Sequence, residues 1–333
     1  MADVDAAIHK YIETDIALGA KDISACAASR EWFLTRLENE IVSTSAGPQL
    51  YPTERFIRFG SYFKGTKVRD VDEFDILVVI DSNTGYFHSG GRTLGSGQGS
   101  EFPNHKYDER FFKPDGSGVS PAKMLEWLRL VVARIVDSFG GEAPIRDGQA
   151  ITARIASRDL AIDLVPAGVF EHANNGTVFY NIPKGNAADG WTLTSPRGDI
   201  EILNRVADGK ADFRNVIRIA KRVRDTYGIK LPSFAIETAI VDYGRATSWT
   251  KSVSLEVVYA FRHLARAIQS GVIADPYDSS SNLIGDVADR AGCAKLFSLM
   301  ADYVESLRNA KDQPASNTYA AVRDAFEAKR SSD

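Results

Sequence analysis

The chain has 333 residues, 44% hydrophobic and 25% charged, the mix of a folded globular protein and not of a disordered one. Its formal net charge of -4 speaks against a surface that coats nucleic acid everywhere, while leaving room for a local basic patch. Two cysteines, Cys26 and Cys293, and five scattered histidines cannot build a disulfide framework or a cysteine-rich zinc site; with no long apolar run and no signal-like N-terminus, the expected location is the cytoplasm.

The first forty-odd residues read as two helices, the second from about Lys21 to Val42 with Ile23, Trp32, Phe33, Leu37 and Ile41 available for burial. After a break at Ser43–Pro52, β-like runs appear at Arg55–Phe59, at Phe74–Ile80, and as a hairpin-like pair, Ile151–Ala156 with Leu160–Val165. Together they predict a mixed sheet. Residues Ser82–Gly118 read as a mobile insertion around the tract Gly90–Ser100, which is too poor in apolar side chains to order itself. That tract lacks the Gly-Lys-[Ser/Thr] ending of a P-loop, and His88 and His105 beside it read as exposed loop residues. Pro121 opens a helix to Ser138 whose Trp127, Leu128, Val131 and Ile135 form a core stripe. A segment rich in Gly, Pro and Asn, Asn181–Gly198, is the expected boundary. Helices follow almost without strands: Asp199–Val206, Phe213–Tyr227, Ser233–Tyr243, Leu255–Ser270, Val287–Leu307 and Ala315–Lys329. The expected domains are therefore 1–190, holding the sheet, the N-terminal helices and the insertion, and a helical 191–330.

The sharpest chemical signal is Gly60-Ser61 followed, after eleven intervening residues, by Glu73-Phe74-Asp75 and the apolar run Ile76–Ile80. In a strand, residues two apart share a side, so Glu73 and Asp75 project together while Phe74 faces the core. Two such charges about 4 Å apart repel by roughly 4 kcal/mol at an effective dielectric near 20, which a divalent cation or a shared proton relieves. A third acid, Asp163, interrupts the apolar run Leu160–Val165, where burial without a partner is expensive. If the two strands are neighbours, the three carboxylates make an oxygen-rich site for Mg²⁺ or Mn²⁺, hard ions that also bind triphosphate oxygens. Two such ions can activate a hydroxyl nucleophile and stabilise departing pyrophosphate. Gly60 would let the backbone approach a phosphate and Ser61 donate to it, the alternative being a purely structural turn. Asp70 and Asp72 read as loop acids.

The order Gly60-Ser61, Glu73-x-Asp75, Asp163 resembles the DNA polymerase β type of nucleotidyltransferase. More narrowly, GSYFKGTKVRDVDEFDILVVI resembles the cGAS/DncV-like nucleotidyltransferases (CD-NTases), relatives of the oligoadenylate synthetases. Tyr180-Asn-Ile-Pro-Lys184, Gly190-Trp191 and Ser195-Pro196 are similar to the segment leading into that family's helical lobe, and Asp275-Pro276, Asp278 and Asn282 resemble its Asp-Pro-x-Asp…Asn element. The likeness covers roughly residues 20 to 325.

The resemblance implies an α+β, bilobal polymerase β-like fold with a mixed sheet in the N-terminal lobe, a helical C-terminal lobe and an active site in the cleft between them. It implies Glu73, Asp75 and Asp163 as catalytic and metal ligands for two Mg²⁺ (or Mn²⁺), and Gly60, Ser61, Lys221 and Ser233 as nucleotide-binding residues. Lys221 lies in the amphipathic helix Phe213–Tyr227, where Val216, Ile219, Ala220, Val223 and Tyr227 form an apolar stripe opposite Arg214, Arg218, Lys221 and Arg222. Read alone, that basic face is a solvated surface. Ser233 opens the next helix, where anions are favoured on general grounds. The implied activity is synthesis from NTPs (ATP and GTP) of a cyclic oligonucleotide second messenger, a purine cyclic dinucleotide such as cyclic GMP-AMP, acting on a downstream effector in bacterial antiphage signalling. Other partners are an activating ligand or regulatory protein of unknown identity and no membrane. The zinc module with which animal cGAS grips DNA is missing from this sequence, so activation by double-stranded DNA is not expected, and Glu73 replaces the commoner Asp while keeping its charge. Rival readings are a linear-oligonucleotide or small-molecule nucleotidyltransferase and a non-catalytic nucleotide-binding sensor or scaffold.

Overall fold

A computed structural model describes residues 4–17, 20–44, 47–68, 73–87, 109–115, 119–155, 160–172, 178–185, 190–277, 281–310 and 315–327. The tract Gly90–Ser100 and residues Asp70, Asp72, His88, His105 and Asp278 lie outside them. The fold is α+β, and the chain forms two compact units. One comprises Gly19–Lys64 and Val71–Asp199, the other Met1–Leu18, Gly65–Asp70 and Ile200–Asp333.

The first unit is built on a seven-stranded mixed sheet of β1 (Phe56–Phe59), β2 (Glu73–Phe87), β3 (Ile145–Asp147), β4 (Ala150–Ile155), β5 (Leu160–His172), β6 (Val178–Pro183) and β7 (Trp191–Thr194). The order is β1-β2-β5-β4-β3, and β6 and β7 extend from the later half of β5. All pairings are antiparallel except β2 with β5. Ile76 to Ile80 are buried on both faces, which is why that stretch is continuously apolar and does not alternate. Ile57, Leu77, Val79, Val165, Ala167, Tyr180 and Ile182 pack into one cluster on one face. Helix α2 (Ala20–Ser43) buries Phe33, Leu37 and Ile41, whereas Trp32, expected in the core, is exposed with its ring edge against Phe139. Helix α4 (Pro121–Asp137) starts where Ser120 accepts a hydrogen bond from the Lys123 amide and Pro121 takes the first position; its buried face includes Met124, Leu128, Val132 and Val136.

Two stretches differ from expectation. Strand β2 continues to Phe87, pairing with β5 through Phe87↔His172, so the start of the expected insertion is sheet. The expected linker at 181–198 is largely the β6–β7 hairpin, ordered because Trp191 is buried and its indole N–H donates to the Val119 carbonyl at 2.9 Å.

The second unit packs α1 (Val4–Tyr11), continued by a π-helical turn Ile12–Ile16, with α5 (Pro196–Ala207), α6 (Phe213–Thr226), α7 (Ser233–Ala246), α8 (Val253–Ser270), α9 (Arg290–Asn309) and α10 (Ala315–Phe326) around a single apolar core. The N-terminal helix was expected with the sheet but belongs here. Its Val4, Ile8 and Tyr11 are buried in this core, the Tyr11 ring lying 5.5 Å from that of Phe326. Asp5 Oδ1 accepts from the Ser254 amide at 2.8 Å, capping α8. No helix among the described residues is long and apolar enough to cross a membrane.

Candidate metal and nucleotide site

The acidic residues meet because β2 and β5 run parallel in register, Asp75 opposite Asp163 and Glu73 opposite Ala161. Side chains two apart on β2 then stand on the same face as Asp163. One carboxylate oxygen from each of Glu73, Asp75 and Asp163 lies within 4.8 Å of the other two, and all three residues are half-buried. Beyond them on that face Leu77, Val79, Val165 and Ala167 close the core, so the acids sit at the end of an apolar surface. Phe74 points the other way, fully buried, with the Arg30 guanidinium 4.6 Å from its ring. Thr152 of β4, opposite Asp163 in the hairpin register, donates to Asp163 Oδ1 at 2.6 Å and orients that carboxylate. Sequence reasoning passed over Thr152, although the hairpin-like pair Ile151–Ala156 with Leu160–Val165 already put it on the strand beside Asp163.

Gly60 opens the four-residue helix α3 (Gly60–Phe63), directly after Phe59, the cross-strand partner of Asp75. Its φ of +77° is in the left-handed region, and a Cβ there would fall 1.8 Å from Asp75 Oδ2. Only glycine lets the backbone lie this close to the carboxylate. Tyr62 of α3 packs edge-on to Phe74 with ring centroids 4.7 Å apart, tying the turn to β2. Gly60, Ser61 and the three acids are thus neighbours. An all-oxygen donor set of three converging carboxylates fits a hard divalent cation, Mg²⁺ or Mn²⁺, and is unsuited to soft-metal chemistry.

No family model matches the chain. A Bacillus cereus (strain VD146) protein named probable cyclic nucleotide synthase IK1_05630 is 24% identical over 319 residues, spanning 92% of this chain and 93% of its own. Among solved structures, CdnC of E. coli MS115-1 in its complex with HORMA-deltaN superposes with a TM-score of 0.68 at 14% identity, covering 97% of both chains. CdnC with ATP superposes at 0.65 and 14%, covering 97% of this chain and 98% of that one. These are full-length matches, in sequence and in fold. The chain has the fold of CdnC, a cGAS/DncV-like nucleotidyltransferase, and is similar in sequence to a protein named cyclic nucleotide synthase.

In this nucleotidyltransferase the other two expected nucleotide-binding residues, Lys221 and Ser233, lie in the helical unit. The α6 stripe Val216, Ile219, Ala220 and Val223 is buried as read, and Tyr227 at its end is exposed. Lys221 departs from the solvated-face reading. It is buried, and Nζ is ion-paired with Glu237 of α7 and donates to Thr66 Oγ1 at 3.1 Å. Glu237 lies on the next helix, so its role in burying Lys221 is invisible in the α6 pattern. Burial, together with the like charge of Arg214, pulls the Arg218 guanidinium below its usual value. Ser233 is the first residue of α7, and its hydroxyl accepts from Arg224.

The later sequence element proves to be a loop brace. Asn282 Oδ1 accepts from the Ile273 and Ile284 amides at 3.1 and 3.2 Å while Nδ2 donates to the Gly271 carbonyl at 2.8 Å. Asp275 Oδ1 accepts from the Tyr277 amide at 2.8 Å. Asn is suited to such a place because its amide offers an acceptor and a donor on one short arm.

Proposed function

We propose that this nucleotidyltransferase condenses NTPs into a cyclic oligonucleotide second messenger. The observation that carries the reading is the convergence of Glu73, Asp75 and Asp163 from two parallel strands onto one small space beside Gly60 and Ser61. Those three carboxylates would hold Mg²⁺, which, when bound, neutralises triphosphate charge and acidifies an acceptor ribose hydroxyl. Asp163, oriented by Thr152, takes the hydroxyl proton. The oxygen attacks the α-phosphorus of the donor, the α–β phosphoanhydride bond breaks, and pyrophosphate leaves in line. The Ser61 hydroxyl and the Gly60 backbone contact the donor phosphates; in the helical unit Lys221 and Ser233 are the proposed nucleotide-binding residues. A second, intramolecular attack closes the ring.

The name of the B. cereus relative supports a cyclic product, and the ATP of one CdnC structure supports ATP as a substrate. The HORMA partner of the other supports control by a regulatory protein. That the product is a purine cyclic dinucleotide and that it serves antiphage signalling are parts of the proposal that rest on the family resemblance. The test is incubation of the purified protein with the four NTPs and Mg²⁺, with pyrophosphate release, phosphatase resistance and product mass as readouts. The expected result is a phosphatase-resistant product of cyclic mass, lost in Asp75→Ala. A linear product removes the cyclisation step. Nucleotide binding without turnover, or synthesis surviving Asp75→Ala, overturns the reading.

A further inference from the structure

Arg30 of α2 is buried, although a guanidinium is costly to take out of water. Glu31, next to it in the chain, supplies a carboxylate: its Oε1 accepts from Arg30 Nε at 2.8 Å and from Arg58 of β1 at 2.8 Å. The Arg30 guanidinium also stands over two aromatic rings, 4.6 Å from the centroid of Phe74 and 5.2 Å from that of Phe63. Those rings lie 6.0 Å apart, and Tyr62 is edge-on to both, at 4.7 Å from Phe74 and 4.9 Å from Phe63. An aliphatic side chain could fill such a space without the desolvation. What a cation adds is direction, because it is drawn to ring faces and so sets how the rings stand.

The two rings belong to the two halves of the site. Phe74 is the residue between Glu73 and Asp75 on β2, and Phe63 ends α3, the turn that starts with Gly60 and Ser61. They are eleven positions apart in sequence, so side-chain contact does more than the covalent path to set their spacing. On the other side of the turn Arg58 precedes Gly60 by two residues and is held by Glu31. Adjacent residues of α2 therefore grip the chain before and after Gly60-Ser61 and the strand that bears two of the acids, all inside the sheet unit. A phosphate contact and the metal ligands that serve the same triphosphate must keep a fixed separation, and small displacements are costly to catalysis.

We propose that Arg30 is a positioning residue of the nucleotidyl-transfer site: stacked on Phe63 and Phe74, it fixes the Gly60-Ser61 turn against the end of β2 that carries Glu73 and Asp75. This rests on the reading of Ser61 as a phosphate contact and of the acids as metal ligands. Arg30 touches no reacting atom and acts through the two rings. Arg30→Met keeps an unbranched chain and removes the charge, Arg30→Lys keeps the charge without the planar head, and Phe63→Leu removes one ring while leaving the cation in place.

The experiment compares these variants of the full chain with the wild type by amide hydrogen exchange, thermal melting and steady-state kinetics with NTP and Mg²⁺. The Lys64 amide, which closes the α3 turn by donating to the Gly60 carbonyl at 3.2 Å, reports on the turn itself. In Arg30→Met it is expected to exchange about ten-fold faster and the apparent KM for NTP to rise about ten-fold, with kcat falling less than about three-fold, as loss of a desolvated cation–π contact predicts. Arg30→Lys should recover most of this, to within about three-fold of wild type in both. Combining Arg30→Met with Phe63→Leu should give less than the product of the single effects, because both act through one stack. Should Arg30→Met not fold, Phe63→Leu carries the same comparison. A variant that melts lower but keeps wild-type exchange at Lys64 and wild-type KM shows a purely structural arginine and overturns the proposal, as do fully multiplicative effects. A wild type that transfers no nucleotide sinks the functional reading instead, and the exchange comparison then decides by itself whether Arg30 holds the turn.

Discussion

Two places in this molecule bring ionisable side chains together, and they do so in opposite ways. In the helical unit Lys221 and Glu237 are buried as a pair, opposite charges joined by the hydroxyl of Thr66. At the end of the sheet, Glu73, Asp75 and Asp163 set three like charges within 4.8 Å of one another. In the pair each charge faces one of opposite sign. The acidic row sets like charges side by side, a repulsion of about 3.5 kcal/mol for each pair at an effective dielectric near 20 that a divalent cation would relieve. Buried charge by itself is a poor marker of a site; charge of one sign gathered by separate strands is a far better one.

That contrast can be broken most directly by neutralising one carboxylate in each place. Glu237→Gln takes away the carboxylate that is ion-paired with the buried Lys221 ammonium, and urea unfolding should show a loss of about 3–5 kcal/mol. Asp75→Asn removes repulsion, so in metal-free buffer its melting temperature should equal or exceed that of the wild type while synthesis falls at least about 10³-fold. Equal destabilisation by the two substitutions would erase the distinction. Gly60→Ala tests the tight approach to Asp75. About 1–2 kcal/mol of left-handed strain is expected in unfolding, together with a loss of activity from the displaced carboxylate. Thr152→Val should cost about 1 kcal/mol of stability and lower kcat with little change in KM, since it unhooks Asp163 without touching the phosphate contacts.

The smallest effect belongs to Asp5, an ordinary structural acid that serves as the reference. Burial pushes its carboxyl up, but hydrogen bonds from Ser254 and Ser252 and the Arg308 charge outweigh that and hold it below the usual value. A depressed carboxylate stabilises the fold above its unfolded value and loses that stabilisation as pH falls. Asp5→Ala should therefore cost about 1 kcal/mol at neutral pH, and the difference from wild type should fade below about pH 3.8 in urea titrations.

Sequence reasoning reached the acidic row because strand alternation and hairpin pairing are local rules. Glu73 and Asp75 share a face by period alone, whereas Asp163 joins them only because β2 and β5 are neighbours, which the sequence reading posed as a condition and the strand pairing supplies. The six helices after residue 195 were legible from their apolar stripes for the same reason. What escaped depends on partners far along the chain. Lys221 reads as a surface cation until Glu237 is set beside it. The β6–β7 hairpin looks like a linker because its Gly, Pro and Asn content masks Trp191, which is ordered by the Val119 carbonyl. The N-terminal helix has an apolar face that fits either unit on pattern alone, and contact with α10 decides its place.

The meeting of the first helix with the last has a consequence for biosynthesis. Tyr319 donates a hydrogen bond to Asp15 at 2.8 Å across 304 positions of sequence, and Phe326 closes over Tyr11. A ribosome emits the opening segment long before its docking surface exists, so that segment waits, with Ile8 and Tyr11 bare, until α10 has been translated. The described strands of the sheet unit are all made once β7 has emerged, whereas the helical unit closes only after α10. Chaperone capture of nascent chains stalled before α10 is the footprint such an order leaves.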